Sequence, residues 1–353
     1  MAQAPTPTTP TTPPPAPAQQ ASGDEEEEGV EFKQGDIIES SKFKWTVIKM
    51  LGEGGFGAVY LVKRKNGIKA AMKVEIKTDK RKDSKLKMEI AVLKDITASK
   101  HFTKIIDRGR KEDTKDHKAY FFIVMQLVGK SLHDLKNTRP EKVFSFATAL
   151  GVAHQCLESV EEMHKHGYVH RDLKPQNYAC GLNSEKHVIY ILDFGIARKY
   201  INSKNEVKTP RIIVGFKGTV RFASVACHRG QEMGPKDDCE SWFYMFIDFT
   251  SSKGLPWKKI HDKKEVLPVK LESWHGRTEN PLYGDIKHVN EIAKILGYLA
   301  QLAYQDKVDY SFIYKLLHEA GNSAQVNIEA PYDWETPSAG TAEKTNAEPK
   351  TGK

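Results

Sequence analysis

Apolar and polar residues alternate along the first third of the chain, which is the pattern of half-buried β-strands. The segments with this alternation are residues 43–48, 59–62 and 70–74. Asn66-Gly67 lies between the last two segments and is typical of a hairpin turn. Three apolar residues then recur at helical spacing, and a continuous apolar run follows: Leu86, Ile90, Leu93 and residues 119–127. The pattern predicts a small antiparallel sheet with one packed helix.

From residue 130 onwards the apolar spacing is that of helices. The predicted helices cover residues 147–164, 241–249, 292–304 and 312–317. We therefore expect an α+β fold with two lobes: a strand-rich lobe over residues 41–127 and a larger, mainly helical lobe over residues 130–330. The cleft between two such lobes is a common location for a ligand site.

The two ends of the chain differ in composition from this core. Residues 1–20 are almost entirely Pro, Thr, Ala and Gln, and residues 24–28 are an uninterrupted acidic run. Such segments cannot bury a core, so residues 1–40 and 331–353 are predicted to be disordered tails. Residues 1–40 hold eight acids and one lysine, a net charge of −7, and the rest of the chain carries +15. That basic remainder predicts acidic partners, which could be protein segments, nucleic acid or an anionic membrane.

The four cysteines lie at positions 156, 180, 227 and 239 without any CxxC pair. This spacing argues against a zinc site or a disulfide framework and favours a reducing compartment with buried thiols. No segment approaches the roughly 18 consecutive apolar residues of a membrane span, and the N-terminus lacks the pattern of a secretory signal. We expect a soluble monomer in the cytoplasm, with the nucleus open as a second location.

A glycine-rich segment joins two strand-like segments at the start of the predicted sheet. Gly52, Gly54 and Gly57 fit the pattern GxGxxG, with Gly55 inside it. Glycine lets the backbone approach phosphate oxygens closely, and dinucleotide-binding folds use the same pattern before a helix. Because residues 58–62 are β-like, a phosphate-covering loop between two strands is favoured, with a plain hairpin as the alternative.

Lys73 and Glu89 are placed to form a pair. Lys73 lies on the strand after the glycine-rich segment, from which an ammonium can reach nucleotide phosphates. Glu89 lies on the predicted helix, where its carboxylate can project toward the cleft and hold the lysine in place. Two ordinary surface charges are the alternative, and the order of the two residues after the glycine-rich segment argues against it.

The string HRDLKPQN at residues 170–177 supplies the groups that a phosphoryl transfer needs, and the string DFG begins at Asp193. Asp172 is the candidate base, because a carboxylate can align a seryl hydroxyl and accept its proton. Lys174 can neutralise charge on the transferred group. Asn177 and Asp193 offer the hard oxygen ligands that suit Mg²⁺.

Together these motifs resemble those of eukaryotic protein kinases, and residues 43–320 resemble the casein kinase 1 group, most closely its tau-tubulin kinase branch. The distinguishing segments are residues 86–89, 124–127, 218–225 (GTVRFASV, where most kinases carry APE), 232–238 and 255–257. The resemblance implies a serine/threonine kinase that uses ATP and Mg²⁺, since Lys174 accompanies that specificity. It also implies that Asp238 supports the catalytic loop (residues 170–177) from a buried position. Activity is further expected not to require phosphorylation of the activation segment, which runs from Asp193 to Val225.

The resemblance further implies which residues surround ATP. Met125 is the expected gatekeeper, and residues 126–128 are the hinge that faces adenine. The expected ATP contacts are Leu51, Gly52, Gly54, Gly55, Gly57, Val59, Ala71, Lys73, Met125, Gln126 and Val128.

The expected substrates are protein segments that are acidic or already phosphorylated. Arg211 matches an arginine of the anion site in the resembling group, and Lys217 adds charge nearby. The second basic position of that site has no clean match, because residues 266–268 stand there, so a need for prior phosphorylation stays open. The alternatives are a pseudokinase-like scaffold, which the full set of catalytic residues disfavours, and a nucleic-acid-binding protein, for which no readout module is recognised.

Overall fold

The computed structural model describes residues 31–54, 57–76, 84–112, 119–274 and 278–335. Its N-terminal lobe contains an antiparallel sheet in the strand order β1-β2-β3-β4-β6-β5. The strands are β1 (Ile37–Glu39), β2 (Lys44–Gly54), β3 (Gly57–Lys63), β4 (Lys69–Ile76), β5 (Ile105–Glu112) and β6 (Ala119–Met125). The predicted hairpin turn at Asn66-Gly67 is confirmed, with Gly67 at a φ of 84° between β3 and β4.

The two faces of this sheet have different roles. Alternate residues of β3 are buried, and Tyr60 and Val62 pack with Trp45 into a core on one face. The residues between them, such as Val59, are half-buried and belong to the face that borders the cleft. Helix α1 (Lys85–Asp95) lies on that side, and Ser84 begins it by accepting a hydrogen bond from the backbone N–H of Lys87 (3.3 Å).

The C-terminal lobe is mainly helical, so the α+β fold with two lobes is confirmed. Its helices are α2 (Leu132–Asn137), α3 (Phe146–Lys165), α4 (Val225–His228), α5 (Pro235–Thr250), α6 (Lys263–Ser273), α7 (Val289–Leu299) and α8 (Tyr310–Ser323). Helix α5 is buried over nearly its whole length and packs against α3. Two short antiparallel pairs flank the cleft: β7 (Tyr168–Val169) with β10 (Arg198–Lys199), and β8 (Tyr178–Cys180) with β9 (Ile189–Ile191).

The lobes extend further at both ends than composition suggested. β1 falls within the predicted N-terminal tail, yet it pairs with β2 and buries Ile38. At the other end Tyr332 is only 1% exposed, and its hydroxyl accepts a hydrogen bond from Gln155 Nε2 at 2.6 Å. Disorder was therefore wrongly predicted for residues 37–39 and 331–335, because a single buried side chain leaves no compositional signal. Residues 1–30 and 336–353 lie outside the described residues.

The cysteines are free and buried, as their spacing predicted, and burial raises the pKa of each thiol. Within the described segments, every helix is too short or too polar to cross a membrane.

Candidate active site

Lys73 is the centre of a buried ionic network in the cleft. Its ammonium lies 2.7 Å from Glu89 Oε2 on α1 and 2.8 Å from Asp193 Oδ1, which follows β9. Burial alone would lower the pKa of Lys73, but the two carboxylates outweigh it and raise the pKa above its ordinary value. Lys73 also holds the pKa of Asp193 below its usual range, against the effect of burial. The predicted pair of Lys73 and Glu89 is confirmed as a contact; burial raises the pKa of Glu89, and the charge of Lys73 opposes that rise.

The glycine-rich segment closes the β2–β3 hairpin above this network. Gly54 pairs with Gly57, and Val59 lies opposite Lys73 in the β3–β4 register. Gly57 has a φ of 131°, and a Cβ there would lie 1.9 Å from the carbonyl oxygen of Val74. Glycine is thus required for the hairpin itself. Gly55, also expected at ATP, lies outside the described residues.

The predicted hinge connects β6 to the C-terminal lobe. Met125, the last residue of β6, pairs with Ala71 and is 8% exposed. Gln126 donates its backbone N–H to the Lys104 carbonyl at 3.0 Å. Gly129 donates to the Cys180 carbonyl at 2.7 Å, where a Cβ would lie 2.8 Å from the Cys180 Sγ. The hinge is therefore fixed at both ends, beside the cleft face of the sheet.

Asp238 on α5 stabilises the backbone of the catalytic loop. Its carboxylate accepts the backbone N–H groups of His170 (2.6 Å) and Arg171 (2.9 Å) and a hydrogen bond from His164 Nε2 (2.9 Å). Asp238 is 2% exposed, and its partners hold its pKa below the usual range although burial opposes this. The structural role expected for Asp238 is confirmed.

Lys174 and Thr219 are the two nearest side-chain partners of the Asp172 carboxylate, and Asn177 Nδ2 donates to its Oδ2 at 3.5 Å. Lys174 Nζ lies 2.8 Å from its Oδ2, and the Thr219 hydroxyl donates to its Oδ1 at 2.7 Å. Lys174 Nζ is also 3.3 Å from Thr219 Oγ1, so the three side chains form a closed triangle. The candidate base, a cation and a hydroxyl that contacts both are thereby assembled on the C-terminal lobe.

The two expected metal ligands lie at the same end of the β8–β9 hairpin. Asn177 immediately precedes β8, and its carbonyl accepts the N–H of Leu192, the residue before Asp193, at 2.8 Å. Asn177 Nδ2 donates to the Asp172 carbonyl at 2.9 Å, which leaves its amide oxygen as the free end. One amide oxygen and one carboxylate suit Mg²⁺, which takes few protein ligands and keeps water and substrate phosphates in its shell.

Comparison with known proteins agrees with this geometry. The model of the family described as "Protein kinase domain" matches residues 45–316. The chain belongs to the protein kinase family. Its relatives include a probable serine/threonine-protein kinase of Dictyostelium discoideum, 34% identical over 310 residues, and the serine/threonine-protein kinase spe-6 of Caenorhabditis elegans, 34% identical over 309 residues. These alignments cover 87% and 85% of this chain, but 59% and 78% of the respective relatives.

Sequence reasoning missed one catalytic contact of this kinase. Thr219 was not singled out from the sequence, whereas its hydroxyl contacts both Asp172 and Lys174. Gly218 has a φ of 88°, and a Cβ there would lie 2.5 Å from the Arg171 carbonyl oxygen. The close approach of these two segments requires glycine at position 218, and the Gly-Thr pair is the signal that could have revealed the contact.

The two residues expected to bind substrate anions lie outside the groove beside the catalytic loop. Arg211 forms a bidentate ion pair with Glu232, at 2.5 and 2.9 Å. Lys217 is exposed on the activation segment. A groove of about 370 Å³ borders Thr219 instead, and its charged lining residues are Lys136, Lys142, Arg221, Lys258, Glu141 and Asp248.

Proposed function

We propose that this kinase transfers the γ-phosphate of ATP to serine or threonine in acidic or phosphorylated protein segments, as a casein kinase 1 group enzyme most similar to the tau-tubulin kinase branch. The observation that carries the proposal is the triangle of Asp172, Lys174 and Thr219, close to the Lys73 network. Because competent residues occupy each of these positions, turnover is supported over a scaffold role.

Each residue of the site has a distinct part in the proposed transfer. Asp172 aligns the acceptor hydroxyl and takes its proton, while Lys174 offsets the charge of the moving phosphoryl group. Lys73 binds the nucleotide phosphates and is kept charged by Glu89. Mg²⁺ held by Asn177 and Asp193 would neutralise charge on those phosphates. No covalent intermediate is needed, because positioning and electrostatics supply most of the catalysis of phosphoryl transfer.

The acidic preference rests on the charge of the groove beside Thr219. Its lining carries four cationic side chains against two acidic ones. One of the acids, Asp248, already accepts from Arg221 at 2.7 Å and pairs with Lys136. Lys258 is exposed, and its ammonium bonds only to the Lys253 carbonyl among the described contacts. The groove therefore keeps a net positive charge for an anionic side chain near the acceptor residue.

A peptide-array assay with MgATP tests the catalytic proposal. We expect the wild type to phosphorylate serine and threonine peptides but not tyrosine peptides. Asp172→Asn should lower kcat by about 10²- to 10⁴-fold, because the amide cannot accept the proton. Equal turnover by wild type and variant would refute the assignment, and turnover on tyrosine peptides alone would refute the specificity.

The substrate preference is tested with two peptides that differ only in having Glu or Gln around the serine. Lys258→Glu should lower kcat/KM for the acidic peptide by about 3- to 10-fold and leave the neutral peptide nearly unchanged. Lys294→Glu makes the same charge change on α7, away from the groove lining, and is the control. Equal effects of the two variants, or no preference by the wild type, would contradict the proposal.

A further inference from the structure

Glu232 is a buried carboxylate that contacts two arginines and acts electrostatically on a third. Its side chain is 2% exposed and binds Arg211 of the activation segment through both oxygens. Arg198 Nε lies 3.6 Å from its Oε1. The charge of Glu232 also acts on Arg171, whose pKa is lowered by burial and by Arg198, and is partly restored by Glu232. One carboxylate thus partly neutralises the charges of three guanidinium groups.

The three arginines lie on the segments that form the active site. Arg171 directly precedes Asp172, and its Nε donates to the Ile196 carbonyl at 2.8 Å, just after the DFG string. Arg198 is part of β10, which pairs with β7 at the entrance to the catalytic loop. Arg211 belongs to the segment that continues to Thr219. Without an anion between them, three guanidinium groups would repel one another and separate these segments.

In many protein kinases that arrangement is produced by a phosphate on the activation segment, which pairs with arginine. Here a carboxylate of the chain supplies the negative charge. Arg211 holds the pKa of Glu232 below its usual range, so the carboxylate is charged at neutral pH. The backbone N–H of Val214 also donates to the Gly230 carbonyl at 2.8 Å, which ties the activation segment to the turn that carries Glu232.

We propose that Glu232 is a resident anion that positions the catalytic loop and the activation segment, in the role that a phosphate on that segment has in other kinases. Glu232 does not contact the reacting groups; it acts through Arg171, Arg198 and Arg211. The inference rests on the proposed kinase activity and adds a residue, Glu232, that keeps the active-site segments in position.

The first test compares phosphatase-treated wild type with Glu232→Gln and with Glu206→Gln. Glu206 is a glutamate of the activation segment that is exposed and accepts a hydrogen bond from Asn202 Nδ2, so the same substitution there is the control. We expect treated wild type and E206Q to keep full kcat. E232Q should lose about 10- to 100-fold in kcat, the effect of a lost charge-assisted contact, with the KM for ATP changed by less than about twofold. A loss for E232Q no larger than that for E206Q overturns the proposal, as does loss of activity on phosphatase treatment.

The second test asks whether a separate anion can replace the side chain. Glu232 and Arg211 line a surface cavity of about 450 Å³, through which a small carboxylate can enter. Sodium acetate should therefore raise the kcat of Glu232→Ala several-fold above its value in sodium chloride at equal ionic strength, with no such rise for wild type. If Glu232 had only a packing role, acetate would not restore activity. Equal rates in the two salts would therefore overturn the proposed role of its charge. Asp172→Asn is assayed alongside as a control for the proposed kinase function. If that function is wrong, wild type and D172N will have the same rate; if only the role of Glu232 is wrong, D172N will still be much slower than wild type.

Discussion

Thr219→Val isolates the hydroxyl that contacts both the candidate base and its neighbouring lysine. Valine has nearly the same shape as threonine but can neither donate to Asp172 Oδ1, now 2.7 Å away, nor accept from Lys174 Nζ at 3.3 Å. A hydrogen bond to a charged group contributes about 1.5–3 kcal/mol, and each 1.4 kcal/mol of barrier is roughly tenfold in rate. If the contact serves the transition state, kcat should fall by about 10- to 100-fold.

The same contact should matter little for nucleotide binding. The bonds of Thr219 go to the catalytic loop, whereas Lys73 bonds to Glu89 and Asp193. We therefore expect the KM for ATP to change by less than about twofold, since the groups that would bind the phosphates keep their partners. Initial rates at varied ATP with a fixed saturating peptide give both constants, and thermal denaturation reports whether the fold is intact.

Thr219→Ser is the matched control, because it keeps the hydroxyl and removes only a methyl group. It should retain kcat within a few-fold of the wild type. The reasoning would be refuted if T219V kept the wild-type kcat, or if T219S lost as much as T219V. In the second case packing of the methyl group would be responsible, and the hydroxyl would have no positioning role.

Two further predictions concern stability. Burial alone would raise the pKa of Glu158, but hydrogen bonding from His101 and the charge of Lys100 lower it to about 2. Ionised Glu158 should therefore add about 1–2 kcal/mol to the free energy of unfolding, after allowance for solvent screening. This contribution is present above pH 4.5 and is lost as the pH falls toward 2. Urea unfolding should therefore show Glu158→Gln less stable than wild type at pH 7 and equally stable near pH 2; a pH-independent gap would contradict this. Gly57→Ala should lower the free energy of unfolding by about 1–3 kcal/mol and reduce the Tm, because the added Cβ would clash with the Val74 carbonyl. Gly52→Ala is the control: its Cβ would meet nothing within 4 Å, so it should unfold like wild type.

Local strings of sequence predicted much of the active site because their residues also act locally. Asp172, Lys174 and Asn177 lie within one loop, and the fold needed only to present them. The pair of Lys73 and Glu89 was predicted from order along the chain, since a strand and the next helix pack together. Their distance of 2.7 Å confirms it.

Contacts between distant segments could not be read in this way. Thr219 lies 47 residues from Asp172, and only the return of the activation segment brings its hydroxyl to the base. Arg211 was expected to bind acidic or phosphorylated substrate, whereas it forms an ion pair with Glu232, 21 residues further on. Helix α6 was not predicted because it contains Pro268, and proline disfavours the interior of a helix. The burial of Val266 and Lys270 in the folded lobe outweighs this local cost.

Two residues next to the reacting groups have strained backbone conformations, and charge-assisted contacts account for the geometry of each. Arg171 has a φ of 70° and Asp193 a φ of 63°, conformations that cost a non-glycine residue about 1–2 kcal/mol. Asp238 accepts the backbone N–H groups of the consecutive residues His170 and Arg171, and the ion pair with Lys73 fixes the Asp193 side chain. Charge-assisted bonds of about 1.5–3 kcal/mol each exceed the strain. The contacts of Asp238 and Lys73 therefore stabilise the backbone conformations that direct Asp172 and Asp193 into the cleft. Removal of Asp238 should release the catalytic loop before it unfolds the lobe.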